Sequence, residues 1–161
     1  EYTNLKTHTM LGFDLLKDQP EISETIIKAT LMHHERCDGS GYPSKLRGDK
    51  IDIYAKYIAV IDAYEAMTSA RTYRQPLNPF QVIENFEREG YAKYDRNILQ
   101  PILYHIAATQ LGFMVRLSND EEAKVKSISN RDLLSRPILE RADGSLLDLS
   151  SEPELSITAI F

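Results

Sequence analysis

Residues Leu31 to Pro43 read LMHHERCDGSGYP and join two adjacent histidines to a glycine-rich turn. A helical pattern with apolar residues from Ile26 onward enters this stretch, so His33 and His34 extend a stripe that faces the core. A single imidazole on such a stripe is most often a packed core histidine. Two adjacent imidazoles instead indicate a broad polar site, and neutral imidazole is the commonest metal ligand in proteins.

Two further residues with metal-ligand chemistry lie at inward-facing helical positions. His8 is on the apolar stripe of a first helical pattern, from about Tyr2 to Leu16, and alone would be read as a core histidine. Asp62 interrupts the apolar run of a third helix, predicted from about Ile53 to Ser69 as the most buried helix. A buried carboxylate either becomes protonated or pairs with a cation, and the candidates here are an arginine and a metal ion. With the histidine pair these residues form a nitrogen and oxygen donor set without a thiolate, which favours manganese, iron or zinc.

The segments beside these residues suggest how a ligand would be held. A second helix, from Glu21 to about Glu35, delivers the histidine pair, and Arg36 to Asp52 is too polar and glycine-rich for a core element. That segment is either an ordinary surface loop or a loop that covers a ligand. Arg71 and Arg74 follow the third helix, where they either interact with the helix dipole or bind phosphate oxygens.

The rest of the chain predicts two more helices and a small β unit. One helix opens at the Asn78 cap and runs to about Glu89, and another runs from about Asp95 to Leu111 with His105 facing inward as a structural residue. After Gly112 the pattern changes to short strands separated by turn residues. The predicted strands are Phe113 to Ser118, Ala123 to Ile128, Pro137 to Glu140, Leu146 to Leu149 and Leu155 to Ile160. The prediction is therefore a mainly α fold, with a helical domain over residues 1–111 and a β unit of four or five strands over residues 112–161.

Composition limits the class of protein. The 161 residues carry a net charge of −5, which argues against a non-specific nucleic-acid binder because such proteins need a basic surface. The sequence contains no apolar run long enough to span a bilayer and no signal-peptide pattern, so neither a membrane segment nor a signal peptide is expected. Its single cysteine, Cys37, excludes an internal disulfide and favours a cytoplasmic location. Any anionic ligand must therefore meet positive charge that is supplied locally.

Three stretches carry a resemblance to a known family: KTHTMLG at residues 6–12, HHERCDGSGYPSKLRGDKI at 33–51 and AKYIAVIDAYEAMTSARTYR at 55–74. Together they closely resemble the HD-GYP family of bacterial cyclic di-GMP phosphodiesterases, a branch of the HD phosphohydrolases. The similarity covers roughly residues 2–111. It implies a helical HD-type bundle that carries two or three divalent metal ions, commonly iron or manganese.

The resemblance also assigns roles to individual residues. The implied metal ligands are His8, His33, His34 and Asp62. The implied contacts to the substrate phosphates are Arg71 and Arg74. The implied GYP loop, which shapes the site, contains Asp38, Gly39, Gly41, Tyr42 and Pro43. The implied reaction is hydrolysis of cyclic di-GMP to linear pGpG, or to GMP in some members, by water activated at the metal ions. No nucleophilic side chain is needed for it.

One part of the family pattern is absent. The family's His-Asp dyad, another ligating histidine and a catalytic lysine are expected shortly before the helix with His8, and the sequence contains no His-Asp pair. We therefore expect an N-terminally truncated domain with little hydrolase activity of its own. The alternative is a degenerate domain that acts as a cyclic di-GMP receptor or a protein-interaction scaffold. A third alternative, another phosphate ester as substrate, fits the GYP loop and the two arginines less well.

The resemblance suggests partners as well. Cyclic di-GMP is the expected ligand, and an upstream sensory or receiver domain, a GGDEF-type partner protein and a homodimer are left open. Neither DNA nor a membrane segment is expected.

Overall fold

The computed structural model describes residues 6–70, 75–128 and 133–161. The helices are α1 (His8–Leu16), α2 (Glu24–Met32), α3 (Ile53–Thr68), α4 (Pro79–Asn85), the single turn α5 (Tyr91–Lys93) and α6 (Arg96–Ala108). The strands are β1 (Met114–Leu117), β2 (Glu122–Ser127), β3 (Ile138–Glu140), β4 (Leu146–Asp148) and β5 (Ile157–Ile160). The predicted mainly α fold with a small C-terminal β unit is confirmed. Among the described residues, we find no helix with the length and apolarity needed to span a bilayer.

The chain forms two compact units. One contains the described residues up to Glu65 together with Gly90–Leu99, and the other contains Ala66–Glu89 together with the described residues from Gln100 onward. Helix α4 and the C-terminal part of α6 thus belong to the same unit as the strands. The domain boundary placed after Leu111 from the sequence stays a prediction.

In the first unit, α3 is less buried than its sequence predicts. Its buried residues form one narrow stripe, Ala55, Ala59 and Val60. Large apolar side chains on its other faces are exposed: Ile53, Tyr54, Tyr57, Ile58 and Ile61. The expectation of the most buried helix is therefore wrong for the described residues. A helix that is apolar all round does not reveal which of its faces neighbouring segments cover.

Helix α2 ends earlier than the sequence pattern predicts. Its last residue is Met32, and the N–H group of His33 donates to the carbonyl of Ala29 at 3.1 Å as the helix closes. The N–H of Glu35 then donates to the carbonyl of Met32 at 2.8 Å. This bond spans three residues, and the turn is therefore tighter than the four-residue turn of an α-helix. The prediction that the helix continues to Glu35 is wrong, and both histidines lie in the turn after it.

The second unit contains an antiparallel sheet in the order β4-β3-β2-β1-β5. Alternate residues face its core, including Val115 and Leu117 on β1 and Val125 on β2, as the strand pattern predicts. Turn residues separate the strands as predicted, with positive φ angles of 66° at Asp120 between β1 and β2 and 84° at Gly144 between β3 and β4. The five strands predicted from the sequence are thus confirmed, with ends shifted by a few residues.

Helix α6 begins and ends close to its predicted bounds but has a different inward face. It buries Ile98, Leu99, Leu103 and Ala107, whereas His105 is exposed. The prediction that His105 is a core residue is wrong. Two apolar stripes run side by side along this helix, and packing selects the one that contains the two leucines.

Asn78 fixes the start of α4 in two ways. Its side chain accepts from the N–H of Gln81 at 3.0 Å, completing a capping box, and its amide donates to the carbonyl of Ile157 on β5 at 3.1 Å. We expect Asn78→Ala to lower the free energy of unfolding by about 1–2 kcal/mol, measured by urea denaturation, because both bonds are lost. Asn97→Ala, at an exposed position near the start of α6, is the matched control and should change stability by less than about 0.5 kcal/mol. Equal effects of the two substitutions would contradict the role of the cap.

Candidate metal centre

Three histidines converge at one end of the α1–α2 pair. His8 is the first residue of α1, and His33 and His34 directly follow α2, which packs against α1. The Nε2 atoms of His8 and His33 lie 3.2 Å apart. One nitrogen from each of the three rings can be chosen so that all lie within 4.8 Å of one another. Residues that are 25 positions apart in the sequence thus form one cluster of imidazole nitrogens.

A backbone carbonyl fixes the orientation of the His33 ring. Its Nδ1 atom lies 2.8 Å from the carbonyl oxygen of Thr30, and since a carbonyl can only accept, Nδ1 carries the proton. In this tautomer the Nε2 atom carries the lone pair, and it lies 3.2 Å from Nε2 of His8. Metal-ligating histidines commonly use this second hydrogen bond to set the tautomer.

The surroundings of His34 keep its ring neutral and restrained. Burial, followed by the charge of His33, lowers the pKa of His34 to about 4, so the ring carries no proton on its second nitrogen at neutral pH. The ring stacks on Tyr42 with centroids 4.7 Å apart and planes inclined by 21°. A neutral imidazole held in one orientation is suited to metal ligation.

Asp62 lies beside the histidines but is not buried. Its Oδ2 atom is 3.8 Å from Nδ1 of His34, which is beyond hydrogen-bond distance, and 44% of its side chain is exposed. The expectation of a buried carboxylate is wrong, because this part of α3 is open in the described residues. The proximity to the cluster does agree with the predicted donor set.

The segment after the histidines is irregular, as predicted, and forms a closed loop. Asp38 accepts from the N–H of Ser40 at 2.9 Å and from its hydroxyl at 2.6 Å, and Asp38 pairs with Arg47 in an isolated bridge. The turn at Gly39 has a φ angle of 80°, and a cis peptide bond precedes Pro43. The N–H of Tyr42 donates to the carbonyl of His34 at 3.2 Å, so the GYP loop folds back onto the histidine pair.

Glu35 was not identified from the sequence as part of the site. Only 2% of its surface is exposed, and its carboxylate accepts from the N–H of Ser44 at 2.6 Å and from the N–H of Leu46 at 2.9 Å. The available signal was a charged residue between a histidine pair and a glycine-rich loop. A carboxylate at that position can satisfy backbone donors of the loop as it returns.

The other predicted site residues do not all fall within the structure. Arg71 and Arg74 lie outside the described residues, so their assignment to the substrate phosphates stays a prediction. The three histidines and Asp62 do lie together. The bond from Nδ1 of His33 to the carbonyl of Thr30 and the lowered pKa of His34 leave a ring nitrogen of each available. Three imidazoles with a carboxylate beside them fit a divalent ion of the first transition row.

Comparison with known proteins agrees with this chemistry. Residues 1–98 match the HD domain family. Among curated proteins, the cyclic di-GMP phosphodiesterase PA4108 of Pseudomonas aeruginosa is 30% identical over 84% of this chain and 32% of its own length. The cyclic di-GMP phosphodiesterase of Thermotoga maritima is 36% identical over 57% of this chain and 26% of its own length. The 3′3′-cGAMP-specific phosphodiesterase 2 of Vibrio cholerae is 26% identical over 65% of this chain and 20% of its own length. The chain thus spans between a fifth and a third of the length of these relatives.

Proposed function

Since this chain belongs to the HD-GYP branch of the HD domain family, we propose that it is part of a metal-dependent phosphodiesterase that hydrolyses cyclic di-GMP to pGpG or GMP. The observation that carries the proposal is the cluster of His8, His33 and His34 directly before the GYP loop, with a carboxylate beside it. Two of the relatives that match this region are named as cyclic di-GMP phosphodiesterases.

The proposed metal ligands are His8, His33, His34 and Asp62, and the ion is iron or manganese. When bound, divalent ions supply positive charge to the phosphate and lower the pKa of water. The whole domain is proposed to hold two or three such ions, of which these residues hold one and contribute to another. The lone pair on Nε2 of His33 is kept available by the hydrogen bond from its Nδ1 to Thr30.

The chain's own side chains are proposed to bind and orient the dinucleotide. Arg71 and Arg74 are assigned to the non-bridging oxygens, where guanidinium groups stabilise the charge that builds up on the phosphate. Tyr42, which covers one face of His34, limits the approach of ligands to the open side. A protein with a net charge of −5 needs such local positive charge to bind an anion.

We expect the 161 residues alone to show little turnover of cyclic di-GMP with manganese or ferrous iron, because the sequence contains no His-Asp pair. The full-length protein should produce pGpG under the same conditions, measured by separating products after timed incubation. Efficient production of pGpG by the 161 residues would overturn the expectation of inactivity. A full-length protein that binds metal but hydrolyses no cyclic dinucleotide would overturn the proposed reaction.

A second candidate is a cyclic di-GMP receptor or interaction scaffold, in which the GYP loop and the two arginines bind the dinucleotide without hydrolysing it. Binding of the dinucleotide by the full-length protein without turnover would favour the receptor. The assay should include 3′3′-cGAMP, because one relative is named as specific for it. Selective hydrolysis of that ligand would keep the reaction class and change the substrate.

Three further proposals concern the cellular setting. The single cysteine agrees with a cytoplasmic protein. A sensory or receiver domain, or a GGDEF-type partner, would couple the phosphodiesterase to a signal. Homodimerisation is the third, and analytical ultracentrifugation of the full-length protein tests it.

A further inference from the structure

A buried carboxylate connects the two sides of the GYP loop. Glu35 directly follows the histidine pair, and its two oxygens accept from the N–H groups of Ser44 and Leu46 at 2.6 Å and 2.9 Å. With 2% of its surface exposed, water cannot replace either bond without opening the loop. Hydrogen bonds from backbone N–H groups to a buried carboxylate are stronger than neutral ones, and an unpaired buried donor is costly. The bonds therefore hold Ser44 and Leu46 against Glu35, which directly follows His34.

The loop that Glu35 closes carries the ring that restrains His34. The N–H of Tyr42 donates to the carbonyl of His34 at 3.2 Å, and the two rings stack with centroids 4.7 Å apart. The backbone of Gly41 packs so tightly on Glu35 that a Cβ atom placed there would lie 2.4 Å from its Cα. Ser44 lies two residues after Tyr42, so opening the loop there would remove the support on that side of the tyrosine.

The start of the loop is fixed independently of Glu35. The N–H of Cys37 donates to the carbonyl of Lys93 at 2.8 Å, and the guanidinium of Arg36 donates to the carbonyls of His33 and Glu35 at 3.2 Å and 2.8 Å. Loss of the Glu35 carboxylate should thus release the returning half of the loop and leave its first residues in place.

We propose that Glu35 is a positioning residue of the metal centre, which acts by holding Tyr42 stacked on His34. The stack limits rotation of the His34 ring, so that its nitrogen stays near those of His8 and His33. The role in metal binding rests on the proposed function, whereas the restraint of the stack by Glu35 exists without metal. Two measurements test the two roles of Glu35 separately, one for metal binding and one for the stack of Tyr42 on His34.

The second compact unit offers a matched control. Glu87 accepts from the N–H groups of Leu134 at 2.5 Å and Ser135 at 3.3 Å, and also from the hydroxyl of Ser135. It is thus another carboxylate that binds the backbone of a returning segment, but it and its partners belong to the unit that does not contain the histidine cluster. Glu87→Gln should cost stability as Glu35→Gln does, with no effect on the histidine cluster.

The first measurement is a calorimetric titration of the metal-free 161-residue chain with Mn²⁺. We expect Glu35→Gln to weaken binding by about tenfold or more, as substitutions that disturb the orientation of a ligand commonly do, and Glu87→Gln to change it by less than about twofold. Tyr42→Phe keeps the stacked ring and should bind as the parent does, whereas Tyr42→Ala should bind as weakly as Glu35→Gln. If Glu35 acts through Tyr42, the double substitution Glu35→Gln with Tyr42→Ala should bind no more weakly than either single one. Equal Mn²⁺ affinity of Glu35→Gln and the parent would overturn the proposal.

The second measurement is the NMR spectrum of the metal-free chain. The ring protons of His34 should be shifted upfield by the Tyr42 ring in the parent, and this shift should be lost in Glu35→Gln and Tyr42→Ala but kept in Glu87→Gln. A parent chain that binds no Mn²⁺ would contradict the proposed metal site, and the His34 shift would then decide the role of Glu35 alone. If Glu35→Gln fails to fold, Tyr42→Ala against Tyr42→Phe decides, and a His34 shift that survives in Tyr42→Ala overturns the proposal.

Discussion

The His33→Gln variant should lose its bound divalent ion at metal concentrations that saturate the parent chain. The Nε2 atom of His33 lies 3.2 Å from that of His8, and its lone pair is available because Nδ1 donates to the carbonyl of Thr30. A glutamine side chain has no ring nitrogen to replace it. We expect an affinity loss of at least about 100-fold, beyond the effect of disturbing a supporting residue. Elemental analysis after desalting gives the metal content, and titration gives the affinity.

His105→Gln is the matched control for this variant. His105 is exposed on α6, so the same chemical change there should leave the metal content unchanged. The free energy of unfolding should change by less than about 0.5 kcal/mol. The competing interpretation of His33 is a packed histidine without a ligand role. Under that interpretation, His33→Gln would lower stability and leave the metal content unchanged, which is the result that would sink the proposed metal site.

Sequence reasoning identified His33 and His34 because an adjacent histidine pair is a local signal. The prediction that His8 faces inward on an apolar stripe is wrong, because His8 and Leu15 are exposed on α1. His8 reaches the pair because α1 packs against α2. The early end of α2 at Met32 could not be predicted in the same way. It accompanies the docking of Ser44 and Leu46 on Glu35, contacts that span 9 and 11 positions and leave no periodic pattern.

The burial of helices was harder to predict than their bounds. Helix α3 starts at Ile53 as the sequence predicts, but its stripe of exposed side chains, among them Tyr54 and Ile61, depends on which faces other segments cover. In α6 two apolar stripes are adjacent, and the buried one contains Leu99 and Leu103. His105 lies outside that stripe and is therefore exposed, although the sequence placed it in the core. Periodicity specifies that a face is apolar, and tertiary packing decides whether it is covered.

The strands were predicted well because their signals are also local. The positive φ angles at Asp120 and Gly144 require residues that tolerate them, and an aspartate and a glycine stand at those positions between alternating segments. Cross-strand pairs such as Arg116 with Glu122 at 2.8 Å then lie on the exposed face. Turn chemistry and a period of two are enough to specify a small antiparallel sheet of this kind.

Gly41→Ala should be the most disruptive single substitution in the GYP loop. A Cβ atom at this buried position would lie 2.4 Å from the nitrogen of Arg36, 2.4 Å from the Cα of Glu35 and 2.5 Å from the carbonyl oxygen of His34. All three are backbone atoms, so no side chain can rotate away to make room. Overpacking usually costs about 1–3 kcal/mol, and a clash with three backbone atoms should reach or exceed the upper end of that range. Urea denaturation of the metal-free chain measures the loss.

The same substitution should also weaken metal binding, because the backbone that must yield carries the ligand. Displacement of the carbonyl of His34 breaks its bond from the N–H of Tyr42, and the stacked ring moves with it. Ser44→Ala adds no atoms in the same loop and keeps the backbone bond to Glu35, so it should leave stability within about 0.5 kcal/mol of the parent and Mn²⁺ affinity unchanged. A Gly41→Ala chain that loses stability but binds Mn²⁺ as the parent does would mean that the loop packs on the histidine pair without positioning it. Loss of both properties together would tie the close approach of the loop to the geometry of the metal ligands.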